Sequence, residues 1–130
     1  SVGRALAAAD ALMPGGIAAL GDDATTDVIY FFYPNVPNGT VVGGLYPNAI
    51  LDYAAPLVQD FCESSFERSE GKVDCHFVDL RPVFEGHPEY FAPTDIHPST
   101  AGSAAMAEAV WQTMVDACIA QPESSGCCEP

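Results

Sequence analysis

Val28 to Tyr33 is an unbroken apolar and aromatic run held between Asp27 and Pro34, the pattern of a strand buried on both faces. Val73 to Leu80 reads as a second strand, with Arg81-Pro82 as its exit. No other segment reads as a strand with the same clarity, yet each strand of a buried parallel sheet needs neighbours on both sides. The sheet is therefore expected to be completed by another chain, or by a precursor segment cut away before Ser1. The chain's 130 residues, 48% of them hydrophobic and 10% aromatic, suit one folded domain rather than a disordered tail. Neither repeats nor a linker divide it.

Helical patterns surround the strands. Val2 to Ala11 is alanine-rich with helix-favouring composition, and Pro14-Gly15-Gly16 interrupts it. Asn48 to Phe66 carries Ile50, Leu51, Ala54, Leu57, Val58, Phe61 and Cys62 at helical spacing, with Asn48 as its expected N-cap. Pro56 falls inside that pattern and predicts a kink or two shorter helices. Thr100 to Ala120 is expected to be a helix capped by Ser99 or Thr100, packing through a stripe of Ala104, Ala107, Val110, Trp111, Met114 and Val115. Thr40 to Tyr46, with Gly43-Gly44, reads as a flexible loop beside a cleft, and Gly86 to Thr94 as a proline-rich loop. Residues 121–130 form a polar tail containing cysteines.

The 18 acidic and 4 basic residues leave a formal net charge of -14, which repels phosphate backbones and anionic lipid surfaces. Nucleic acid is excluded as a partner on that ground. No apolar run of about 18 residues is present, so no membrane span is expected. Five cysteines fit an oxidising compartment, and none has metal-binding spacing. Cys62 with Cys75 would close a short loop, and Cys118 is in reach of Cys127 or Cys128. An odd count leaves one over, which fits a link to another chain. The expected location is secreted, extracellular or periplasmic.

Of three histidines, His76 alternates with apolar neighbours in a strand and reads as structural, and His87 reads as a solvated loop residue. His97 differs. In Asp95-Ile96-His97-Pro98 the imidazole has a carboxylate two positions upstream and a helix just after it, an arrangement in which Asp95 orients the ring and His97 acts as general base. Such a base needs a nucleophile and oxyanion donors. Ser99 is better used as a cap, Ser103 lies in the first helical turns, and nothing else supports Ser1 as an N-terminal nucleophile. Asp22, Asp23, Asp52, Asp60, Asp74 and Asp79 are explained by turns, helix faces and strand ends.

The segment Phe91-Ala-Pro-Thr-Asp95-Ile-His97-Pro98-Ser-Thr-Ala-Gly102-Ser-Ala-Ala-Met106-Ala-Glu-Ala-Val-Trp111 resembles the last conserved block of the SGNH hydrolases, the GDSL esterases and lipases. Asp27-Val-Ile-Tyr-Phe-Phe-Tyr33-Pro34-Asn35 resembles that family's later core strand and its exit loop. The likeness runs from about Asp27 to Met114 and covers the family's C-terminal half. It implies a three-layer α/β/α fold with a parallel sheet, flavodoxin-like and incomplete in this chain alone. The family's Gly-Asp-Ser turn and its oxyanion-donor segments are missing, and Gly21-Asp22-Asp23 lacks the serine. The family sets its acid three residues before the histidine, a position held here by Thr94, with Asp95 one step closer.

The resemblance implies part of a secreted serine hydrolase acting on carboxylic esters without a cofactor or metal. His97 and Asp95 would be its contribution, and a second chain or N-terminal segment would carry the serine. The alternatives are a non-catalytic fragment serving as a binding or structural subunit, and an esterase acting on acetylated glycans.

Overall fold

The computed structural model describes residues 25–37, 40–93 and 96–121. The expected helix Val2 to Ala11, the Gly21-Asp22-Asp23 turn, Thr94, Asp95, Cys127 and Cys128 lie outside the described residues. Within them the chain is mixed α/β: β1 (Thr26–Phe32), α1 (Pro47–Glu63), α2 (Ser65–Arg68), β2 (Val73–Asp79), α3 (Arg81–Phe84), a 3-10 turn (Pro88–Tyr90) and α4 (Thr100–Asp116). They fall into two compact units, one of residues 25–30 and 52–77, the other built from 31–51 and 78–121.

β1 and β2 form a two-stranded sheet. Thr26 N–H donates to Lys72 O at 2.8 Å, and Leu80 N–H donates to Phe32 O at 3.3 Å. Both strands therefore run the same way, with Thr26 beside Val73 and Phe32 beside Asp79. Tyr30 and Phe77, opposite each other in this register, stack with centroids 6.3 Å apart and planes 8° from parallel. The expected burial of β1 on both faces is corrected by the structure. Val28 and Tyr30 on one face and Phe31 on the other are 40%, 45% and 51% exposed, because β2 is the strand's one sheet neighbour among the described residues.

In the first unit α1 turns Ala54, Ala55, Val58 and Cys62 inward, a one-face spacing. The Cys62–Cys75 disulfide ties the end of α1 to β2, as the cysteine spacing predicts. Ser65 strengthens the same corner: it is buried, its Oγ accepts from Cys75 N–H at 3.1 Å and donates to Val73 O at 3.3 Å. Ser69 Oγ accepts from Val73 N–H at 2.8 Å. Even-numbered residues of β2 bond to β1, so Val73 and Cys75 direct their backbone groups to the outer edge, where these two serines meet them. Arg68 donates to Phe61 O at 2.6 Å and lies over the Phe61 ring, supplying a donor to a carbonyl near the end of α1.

Two helix expectations need correction. α1 passes through Pro56 as an unbroken helix, and its break comes at Ser64. The proline removes one N–H, but the buried face and the disulfide hold the turns on either side in line. Asn48 is not the N-cap, since the helix starts at Pro47. Its amide instead bonds both backbone groups of Val36, accepting from N–H at 2.9 Å and donating to O at 2.8 Å.

In the second unit Phe32, Val36, Val78, Leu80, Phe84 and Phe91 are buried, Leu80 completely. Phe84 meets Tyr90 and Phe91 edge-on, with centroids 5.3 and 5.1 Å away. Val42 and Leu45 exchange two backbone hydrogen bonds of 3.0 Å across Gly43-Gly44, whose φ values of 58° and 80° meet the needs of a tight turn in place of the expected flexible loop. α4 ends at Asp116, short of the expected Ala120. Its expected stripe is not core. Trp111 is 53% exposed, Ala104 and Ala107 are exposed, and Gly102 is the helix's buried residue. Cys118 is disulfide-bonded, with its partner outside the described residues.

Reducing the Cys62–Cys75 bridge, which joins positions 13 apart, is expected to lower stability by about 3 kcal/mol, read as a fall in urea midpoint of a Cys62→Ala/Cys75→Ala variant. At the carboxyl end of β2, Arg81 grips Asp79 through Nη2 at 2.7 Å and Nε at 2.9 Å, and this bonding lowers the Asp79 carboxyl below its ordinary value. Asp79→Asn should cost about 1 kcal/mol at neutral pH. A depressed carboxyl contributes fully above its unfolded value near 3.9 and loses that contribution as pH falls through the folded one. The gap between wild type and variant in urea titrations should therefore close under acid and stay constant above about pH 5.

Candidate functional site

His97 reaches its position through a chain of backbone constraints. After β2, α3 and the 3-10 turn bring the chain to Phe91, which forms an antiparallel bridge with Pro98. Ala92 N–H donates to His97 O at 2.9 Å, and Ser99 N–H donates to Tyr90 O at 2.7 Å. Ser99 then caps α4, accepting from Gly102 N–H at 3.2 Å while its hydroxyl donates to Glu89 O at 2.7 Å. The histidine is thus pinned on both sides and its side chain is exposed. Asp95, the expected orienting acid, lies outside the described residues, as does Thr94.

Tyr33, the first residue past β1, donates its hydroxyl to Ile96 O at 3.3 Å. The residue before the histidine is thereby tied to the carboxyl end of a parallel strand, where open α/β sheets bind ligands. Beside it opens a cleft of about 510 Å³ lined by Pro37 and Thr40 from the β1 exit and by Glu89, Phe91, Ala92 and Ile96 from the segment before α4. Its size is in the range of small-molecule sites. The hydrogen bonds between Asn48 and Val36 fix the wall from which Pro37 follows.

Glu89 carries the charge on this rim. His87 Nδ1 lies 2.8 Å from Glu89 Oε1, and that hydrogen bond holds the Glu89 carboxyl below its usual range. The His87 ring also stacks on Tyr90, centroids 4.5 Å apart. The expectation of a solvated His87 is met in its exposure and extended by these partners. Ser99 spends its hydroxyl on the cap and on Glu89, and Ser103 is exposed in the first turn of α4. Neither occupies a strand-to-helix elbow.

His76 sits in β2 as expected, but it is not isolated: its Nε2 lies 3.1 Å from Asp27 Oδ1 and 4.0 Å from Asp74 Oδ2. Among the described residues this trio is the one His and carboxylate set close enough to share a cation. Sequence reasoning missed it because Asp27 comes beside Asp74 only once the strand register is known. Tyr33 was missed for the same reason, since its partner is distant in sequence, and Asn48, expected as an N-cap, bonds Val36 instead.

Gly102 determines how closely α4 approaches the histidine loop. A Cβ there would run into the Tyr90 carbonyl and come within 3.2 Å of Phe84 Cε1. Gly102→Ala is expected to destabilise the protein by about 1–3 kcal/mol, measured by thermal melting. Ala104→Gly, at an exposed position of the same helix, should cost no more than about 1 kcal/mol.

No family model, no curated protein and no solved structure matches this chain. Its own geometry carries the functional reading.

Proposed function

We propose that this chain supplies the general base of an SGNH-type serine esterase acting on carboxylic esters. The observation that carries the reading is the placement of His97: two residues ahead of a serine-capped helix, on a loop tied by Tyr33 to the end of a parallel strand and adjoining a small open cleft. The resemblance of residues 91–111 to the last SGNH block supports the same reading.

In this reading a serine hydroxyl on a segment beyond this chain attacks the ester carbonyl as His97 takes its proton. The imidazolium then returns that proton to the departing alcohol, and water repeats the sequence to release the acid. Asp95 holds the ring in the required tautomer. The exposed apolar side chains on both faces of β1 support covering layers supplied by a further segment. The disulfides and acidic surface favour a secreted or periplasmic setting, and the odd number of cysteines favours a covalently linked companion segment.

The test uses the product of the complete gene, with any accompanying polypeptide, and short p-nitrophenyl esters. His97→Ala should lower kcat/KM by about three to four orders of magnitude with thermal stability unchanged, and Asp95→Asn should cost less. A serine-directed phosphonate should label a residue outside this chain. Near wild-type turnover in His97→Ala, or loss of activity confined to His76 or His87 variants, would overturn the assignment.

A further inference from the structure

The amino ends of the two strands hold a cluster that ester hydrolysis does not use. The register sets Asp27 of β1 beside Asp74 of β2, and alternation puts His76, two residues on, on the same face. Like charges on directly neighbouring strands repel, and His76 Nε2 lies beside both carboxylates. Each side chain offers one ligand atom, and the three atoms lie within 4.8 Å of one another. Metal to ligand bonds of about 2.0–2.2 Å require neighbouring ligand atoms roughly 3 to 3.5 Å apart. The 3.1 Å from His76 Nε2 to Asp27 Oδ1 falls within that span, and the 4.0 Å to Asp74 Oδ2 exceeds it by a gap that the half-exposed Asp74 side chain can close by turning.

We infer that Asp27, Asp74 and His76 form a binding site for a divalent transition-metal ion of the Zn²⁺ class. One imidazole nitrogen with two carboxylate oxygens is a borderline ligand set, which favours Zn²⁺ over Mg²⁺ or Ca²⁺, whose preferred ligands are oxygens alone. Asp27 and Asp74 are 44% and 48% exposed and His76 is 19% exposed. Solvent can therefore enter and fill the remaining coordination positions. Two rigid β-positions on β2 and one on β1 deliver the ligands, so little backbone ordering accompanies binding. The site is distinct in sequence and residues from the His97 assembly, and it stands whether or not the esterase reading does.

Isothermal titration of the untagged protein with ZnCl₂ tests the site, after alkylation with iodoacetamide so that no free thiol can be the ligand. One equivalent should bind, MgCl₂ should give no competing heat, and Co²⁺ should develop visible d–d absorption that Zn²⁺ bleaches. His76→Gln and Asp74→Asn, checked for native near-ultraviolet circular dichroism, should each weaken Zn²⁺ by more than about tenfold. Asp52→Asn, an exposed carboxylate of α1, should bind as wild type does. Absence of Zn²⁺ heat in the folded wild type, or equal affinity in the ligand variants, overturns the proposal. In that case the contact between His76 and Asp27 is structural only.

Discussion

The parallel register of β1 on β2 is the constraint from which most of this structure follows. Strands running the same way cannot be joined by a tight turn, so the chain between them leaves the sheet, forms α1 and α2, and returns. Strict alternation then assigns every side chain a face. Cys75 faces opposite to His76 and reaches Cys62, while His76 falls on the face of Asp27 and Asp74. A slip of one residue would exchange these faces. The disulfide makes such a slip costly.

At the carboxyl ends the strands lead to Tyr33 and Leu80, and the described backbone beside His97 is held there by several contacts. The bridge between Phe91 and Pro98, the Ser99 cap and the close approach of Gly102 to Tyr90 each restrain a residue within five positions of His97 or the segment facing it. In the proposed esterase, a base held this way would keep its backbone position without ordering the chain at each turnover, which is how proximity would contribute to rate. The cleft beside Ile96 is open to solvent.

Much of this was legible in the residues themselves, and what was missed has a common cause. Both strands, the Cys62–Cys75 bridge and the Ser99 cap are encoded by local spacing and by side chains whose partners lie nearby. Asn48 carried a correct local signal for a cap, but Val36 offered its amide two hydrogen bonds at once. Pro56 likewise carried a real local penalty that the buried face of α1 outweighs. The α4 stripe was read as core because periodicity reports an apolar face and not whether anything covers it. Asp27 and Asp74 looked like strand-end polar residues because only pairing brings them together.

The serines at the corner between α1 and β2 have a further effect on how this protein meets copies of itself. Exposed strand edges invite pairing between molecules, and runaway growth needs a usable edge on each side of the sheet. Ser65 and Ser69 occupy the backbone groups of Val73 and Cys75, so the first half of the outer β2 edge is closed to an incoming strand. The hydroxyls of two small residues thus stand against strand-by-strand growth along this part of the edge.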